Sequence, residues 1–212
     1  MAISFDTNHK PAIGEVEQLE YDLVVITADN ASPMTFTGTR TYVLGTENLI
    51  IIDPGPNSAT HLSSIMKYIG KRKVTDILLT HSHIDHSPLS RQLKTETGAR
   101  IIGFGSADAA RTSFMKKLSS SLDLGGEEGI DKDLALDKKV IDKQILNLNN
   151  YSIEVVHTPG HLSNHVCFSL KERQILFSGD HVMGWATTLI SPPDGDLGSF
   201  MNSLEKLSDR EE

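Results

Sequence analysis

An α/β fold is the architecture this sequence predicts, and three observations carry the prediction. Short runs rich in β-branched residues alternate with segments whose apolar residues recur at helical spacing. Strand, helix and strand follow one another in the first half of the chain, the order of an α/β unit. Several runs stop at Gly-containing turns that carry histidine or aspartate, and such strand ends converge on one rim, where α/β proteins build their sites.

In chain order, residues 1–20 are polar and read as a lead-in. Tyr21 to Thr27 (YDLVVIT) is a strand, followed by a turn over Asp29 to Pro33. Arg40 to Leu44 and Asn48 to Asp53 flank Gly45-Thr46-Glu47 and read as a hairpin, which stops at Asp53-Pro54-Gly55-Pro56. Leu62, Ile65, Met66 and Ile69 mark a helix over Ser58 to Gly70, with Gly70 as its C-cap. Val74 to Thr80 is a strand. Ser87 and Pro88 suit the N-cap and first position of a helix that runs to Thr97 and closes at Gly98. Ala99 to Phe104 is again a strand. A helix over Ala107 to Leu118 and a polar, Gly-rich loop over Ser119 to Asp133 follow, then one or two strands within Val140 to Leu148. Ser152 to Val156 is a strand ending at Thr158-Pro159-Gly160-His161. Val166 to Leu170 and Gln174 to Phe177 form a hairpin that ends at Ser178-Gly179-Asp180. Phe200, Met201, Leu204 and Leu207 mark a last helix over Ser199 to Leu207, before the charged tail Asp209 to Glu212.

The 212 residues suit a single domain, 1–212, with 1–20 as lead-in and 199–212 as final helix and tail. Apolar residues make up 38% and charged residues 23%, which excludes a wholly disordered or fibrous chain. A net charge of −8 disfavours nucleic acid as a partner, since phosphate backbones select basic surfaces. The lone Cys167 cannot form an internal disulfide and fits a reducing compartment. With no apolar run long enough to span a bilayer and no signal-like start, a cytoplasmic, membrane-free protein is expected.

The chemistry concentrates in His81-Ser82-His83-Ile84-Asp85-His86, four ligand-type side chains in six residues after a strand. Alternation in an extended segment points His81 and His83 the same way, and the loop can turn Asp85 and His86 toward a neighbouring point. His161 and Asp180 stand at two further strand ends. Imidazole with carboxylate is the donor set for Zn²⁺ and its neighbours, Mn and Fe included. A lone histidine is ordinarily a core or surface residue, and His165, His157 and His181 are read as core or supporting residues on that ground. His9 and His61 are read as surface histidines. Gly103-Phe104-Gly105 lacks the third glycine of a dinucleotide fingerprint and reads as a turn. Lys71-Arg72-Lys73 reads as a solvated turn or a partner of the preceding helix's C-terminal dipole. Met183 and Trp185 either line a pocket rim or pack the core.

The His81–His86 block, His161, Asp180 and the strand-end Asp53-Pro54-Gly55 together resemble the metallo-β-lactamase-fold hydrolases, from about Tyr21 to the end of the chain. Gly179-Asp180-His181 with Gly184-Trp185-Ala186-Thr187-Thr188 resembles a bacterial subgroup near the glyoxalase-II-like proteins and the lactamase-like endoribonucleases. The resemblance implies a four-layer αβ/βα sandwich with a metal pair at its open edge. It implies that His81, His83 and His161 hold one metal, that Asp85 and His86 hold a second, and that Asp180 bridges them. One or two zinc ions are expected, and Asp85 is the candidate catalytic residue, orienting a metal-bound hydroxide. Asp53 is either a support for the ligands or a turn aspartate, and His165 and His181 are expected beside the ligands.

The activity implied is hydrolysis of a small-molecule ester or thioester. An endoribonuclease acting on single-stranded RNA is the first alternative, and an inactive or mononuclear fragment is another. A mononuclear-iron sulfur dioxygenase would keep the same histidines. The family pattern also has one more histidine near its C-terminus, whereas the last histidine here is His181. The expectation is therefore a truncated chain lacking the last strand and helix, a weak or empty second site, and an open edge that favours a homodimer.

Overall fold

A computed structural model of the chain describes residues 5–121 and 129–210. Within them, eleven strands and four α-helices form two sheets with helices outside. The first sheet holds β1 (Val16–Glu20), β2 (Leu23–Thr27), β3 (Arg40–Leu44), β4 (Asn48–Ile52), β5 (Lys73–Leu78), β6 (Arg100–Gly103) and β7 (Lys138–Lys139), in that spatial order. It is antiparallel from β1 to β4 and parallel from β4 to β7. The second sheet is antiparallel, ordered β11 (Ile175–Phe177), β10 (Val166–Leu170), β9 (Tyr151–His157) and β8 (Ile145–Leu148).

Why β2 and β4 read as unbroken apolar runs follows from burial on both faces. Ile50 and Ile52 of β4 turn inward and meet Val155, Val166 and Phe168 of the second sheet. Leu49 and Ile51 turn outward and meet Ile65 and Ile69 of α1 (Ala59–Ile69), within a cluster that includes Leu89 and Leu93 of α2 (Leu89–Thr97). On the far side, α4 (Leu197–Ser208) and the turn after it cover the second sheet, with Ser203 donating to Pro159 O and Arg210 reaching Glu154 and Ser169. The layering is therefore helix, sheet, sheet, helix, as the resemblance implied. Truncating Phe168, fully buried between the sheets, would cost about 3–5 kcal/mol.

Most elements stand where the pattern put them, and the differences have physical causes. β1 lies inside the expected lead-in; its five residues are all exposed, so it carries no apolar alternation to betray it. α3 (Ser113–Ser121) starts six residues later than Ala107, because Ser106–Arg111 forms turns instead, with Ala109 N–H bonded to Ser106 O and Arg111 N–H to Asp108 O. Ser87 does not cap α2: Pro88 occupies the cap position, and the Ser87 hydroxyl is taken up by His83 O and Asp131. Gly98, at φ 74°, closes α2 as expected. Arg72 donates to the Ile69 and Tyr68 carbonyls at the end of α1, the C-terminal partner role. Of the predicted loop over Ser119 to Asp133, residues 122–128 lie outside the described residues, as do residues 211–212 of the tail. Among the described residues, no helix is long and apolar enough to cross a membrane.

Candidate metal centre

The centre grows out of two adjacent strand ends. β4 stops at Asp53, whose φ of 48° lies in the left-handed region, where Asp is tolerated better than bulkier residues. That bend turns the carboxylate toward the end of β5. There Oδ1 accepts the Thr80 N–H at 2.8 Å and Oδ2 accepts the Thr80 hydroxyl at 2.6 Å. Thr80 has then committed its one hydroxyl proton to Asp53. Its oxygen, 2.9 Å from His81 Nδ1, must accept there, so His81 carries its proton on Nδ1 and turns a bare Nε2 into the site.

The same logic fixes His161. Its Nδ1 lies 2.7 Å from the Leu189 carbonyl, which can only accept, so its Nε2 is bare. His81 Nε2 and His161 Nε2 lie 3.0 Å and 2.9 Å from His83 Nδ1. Two unprotonated nitrogens thus face a third, and one proton on His83 could not satisfy both. Asp180 Oδ2 closes the group, 3.5 Å from His161 Nε2 and 4.0 Å from His81 Nε2. Three converging imidazole lone pairs beside a carboxylate fit a divalent cation.

A second group shares Asp180. His86 Nδ1 donates to Asp53 Oδ2 at 2.9 Å, which leaves Nε2 facing Asp85 Oδ2 at 3.3 Å and Asp180 Oδ1 at 3.2 Å. The donor atoms of each group lie within 4.8 Å of one another. All six residues singled out from the sequence therefore come together, four in the first group and three in the second, with Asp180 in both.

Burial holds His81 well below the ordinary histidine value and brings His83 down to about 3, so both rings offer lone pairs at neutral pH. Burial alone would raise Asp85 and Asp180, but the charge and hydrogen bond of His86 outweigh it and keep both carboxylates below their usual range. Burial opposes charge on His86 too, yet Asp85, Asp180 and Asp53 around it hold that ring well above the usual value when no cation is present.

Further histidines stand around the two groups, and one sequence expectation is corrected. His165 is fully buried; its Nδ1 pairs with Thr158 Oγ1 and its Nε2 accepts the Asp180 N–H at 3.2 Å, which fixes the start of the Asp180 turn. Gly179 precedes that turn at φ 51°, and a Cβ there would stand 2.6 Å from His165 Nε2. His181 is buried against Phe200 and His165. His157 stacks on Phe104 and lies 3.0 Å from Ser163 O. His61 is not a surface residue: it is 1% exposed, bonded at 2.8 Å to Thr41 Oγ1, and it packs under Gly55 in the turn after Asp53. Its place on the buried face of α1 beside Ile65 could have been read from helical spacing.

Sequence reasoning misses Asp131 altogether. It bonds Arg91 at 2.7 and 2.8 Å and Ser87 Oγ at 2.8 Å, while its own N–H reaches Ser82 O at 2.8 Å. Together with the Ile84 N–H to Gly129 O bond, it clamps the histidine loop from outside. Its place in a polar Gly-rich stretch carries no signal.

A cavity of about 240 Å³ opens at the second group, lined by Asp85, His86 and Asp180 together with Met34, Met183 and Trp185. Trp185 is on this rim, one of the two places left open by the sequence, and it stacks on Phe36 at 5.2 Å.

Residues 34–212 match the family model of the metallo-beta-lactamase superfamily. Among curated relatives, a lactamase-like protein of Emericella nidulans is 28% identical over 204 residues, covering 95% of this chain and 57% of its own length. An atrochrysone carboxyl ACP thioesterase of Passalora fulva is 31% identical over 209 residues, covering 95% and 54%. The chain thus spans about half the length of the curated relatives it matches. Among solved structures, a metallo-beta-lactamase family protein of Thermus thermophilus superposes with a TM-score of 0.70 at 22% identity, over 91% of this chain and 71% of that one. A beta-lactamase domain protein of Burkholderia ambifaria gives 0.73 at 17% identity, over 97% and 71%. Layering, topology and family match agree, and the chain belongs to the metallo-beta-lactamase superfamily.

Proposed function

We propose that this chain is a metal-dependent hydrolase of a small ester or thioester. The observation that carries the reading is the pair of bare Nε2 atoms of His81 and His161, each fixed by a hydrogen bond on its Nδ1 side, converging on His83 Nδ1. His81, His83, His161 and Asp180 would hold one cation, and Asp85, His86 and Asp180 a second. Zinc is the first expectation, and manganese or iron suit the same donors. A cation held there supplies an acidified water and positive charge for the oxyanion that develops at the substrate carbonyl. Asp85, kept ionised, offers acceptor oxygens that orient the attacking water. Thr39 steadies that carboxylate, its hydroxyl donating to Asp85 Oδ2 at 3.3 Å. The rim of Met34, Met183 and Trp185 favours an apolar acyl group. Relatives named atrochrysone carboxyl ACP thioesterases support the thioester side of the reading.

One basic side chain, Arg40, lines the cavity among the described residues, which speaks against a ribonuclease needing clustered Lys and Arg. The chain's single cysteine, Cys167, is buried, and a sequence with no second cysteine for an internal disulfide fits a reducing cytoplasm. The test is hydrolysis of a generic thioester by zinc-loaded protein. Activity that His81→Ala abolishes supports the reading, and a loaded wild type inert toward thioesters and esters alike overturns it.

A further inference from the structure

Resting on that hydrolase reading, we propose that Arg40 recognises an anionic group of the substrate, so that the site takes carboxylate-bearing esters or thioesters. Arg40 opens β3 with its side chain on the same face as Tyr42, toward the space between the sheets. It follows Thr39, the residue bonded to Asp85, and so stands beside the reacting centre. No other Lys or Arg lines the cavity among the described residues.

Its guanidinium is loosely committed to the protein. Among the described residues, Nε is buried with no acceptor, Nη1 is 3.4 Å from His9 Nε2, and Nη2 is 3.5 Å from Glu17 Oε2. Both side chains of the Glu17 pair are open to solvent, 33% and 44% exposed. Arginines with structural duties in this chain look different: Arg91 meets Asp131 at 2.7 and 2.8 Å, and Arg173 meets Asp22 at 2.8 and 3.1 Å. A guanidinium fork presents paired donors suited to a carboxylate, and the Glu17 carboxylate it meets here is a long, exposed contact that a substrate can displace. Asp53, Asp85 and Asp180 line the same cavity, and among the described residues Arg40 is the one basic side chain with them. Trp185, stacked on Phe36, supplies the apolar wall for the carbon skeleton between the anion and the scissile bond. Glu17 then acts as a resident competitor for the Arg40 fork.

The anion can sit on the acyl half or on the thiol half, and matched substrates separate the two. Three thioesters suffice: S-butyryl-N-acetylcysteamine as the neutral reference, S-glutaryl-N-acetylcysteamine with an acyl carboxylate, and S-butyryl-3-mercaptopropionate with a thiol carboxylate. The readout is kcat/KM for each anionic substrate relative to the neutral one, on zinc-loaded protein. Arg40→Gln is expected to lower one of the two ratios about tenfold or more, Arg40→Lys less, and Glu17→Gln to raise the same ratio. Both ratios staying within about twofold of wild type in Arg40→Gln would sink the proposal. If the wild type hydrolyses none of the three, the hydrolase reading fails separately. Calorimetry of glutarate against butyrate on the loaded protein then decides. Preferential glutarate binding that is lost in Arg40→Gln sustains the anion site, and equal binding in both proteins overturns it.

Discussion

The carboxylate of Asp53 lies 2.9 Å from Nδ1 of His86 and so decides which nitrogen of that ring faces the site. The same carboxylate holds Thr80, and through Thr80 the ring of His81. One residue outside both donor groups therefore sets the tautomers of a histidine in each. Asp53→Asn keeps the shape but removes the charge and one acceptor oxygen. It is expected to weaken cation binding at the Asp85–His86–Asp180 group by about 10–100-fold, with a smaller loss at the first group. Calorimetric zinc titration of the two proteins checks this, and unchanged affinities would return Asp53 to the role of a turn residue.

The two groups differ in donor number, four against three among the described residues. The second also keeps His86 among three carboxylates, so a proton competes there with the cation. Unequal occupancy follows: one ion retained after dialysis against a weak chelator, the second lost first. Elemental analysis along a chelator series measures it. Two ions held with equal tenacity would contradict the donor count.

Below neutrality the metal-free protein is expected to lose stability in a defined window. Burial holds His61 down to about 4, while an unfolded histidine takes up its proton near 6.5. Between those values the unfolded state binds the extra proton, so stability falls as pH falls, by up to about 1.4 kcal/mol per pH unit from this group. His181, also held to about 4 by burial, adds in the same direction. His86 acts oppositely, but its contribution is already complete below 6.5 and is lost only as pH rises through its raised value. Urea unfolding at pH 6.5 and 4.5, below the range where His86 contributes a slope, should show the loss, and His61→Gln should flatten the slope by one proton.

Side chains that announce themselves do so because their chemistry repeats at short range. Four ligand-type residues within His81–His86, and a glycine before each of His161 and Asp180, are local patterns, and all six residues meet. The layers are legible for the same reason, since the unbroken apolar run of β4 and the helical spacing of α1 lie within single elements. What stays hidden is nonlocal. Arg40 joins the site through a pairing of β3 with β2 and β4, and Phe36 reaches Trp185 across 149 positions of chain. His61 is misplaced when the polarity of one residue is weighed above the face of the helix it stands on. β1 escapes notice because an exposed edge strand needs no apolar face.

Asp131 offers the sharpest separation of loop support from direct binding. Among the described residues it bonds no donor atom of either group, yet it ties Ser82 O, Ser87 Oγ and Arg91 together beside the loop that carries His83. At 7% exposure the carboxylate is shielded, while Arg91 is more than one-third open, so the ion pair contributes less than a fully buried one would. The larger loss on removal is the loop's anchorage and the buried Ser87 hydroxyl left with the longer 3.2 Å bond to His83 O. Asp131→Ala is expected to destabilise the protein by about 2 kcal/mol, and to weaken the first cation by about tenfold through a less ordered His83. Arg91→Ala should reproduce part of the stability loss and little of the metal effect, because Asp131 would still hold Ser87 and Ser82. Cobalt-loaded protein gives the decisive readout: ligand-field bands that shift or broaden in Asp131→Ala but not in Arg91→Ala place the effect at the His83 ligand rather than in global stability.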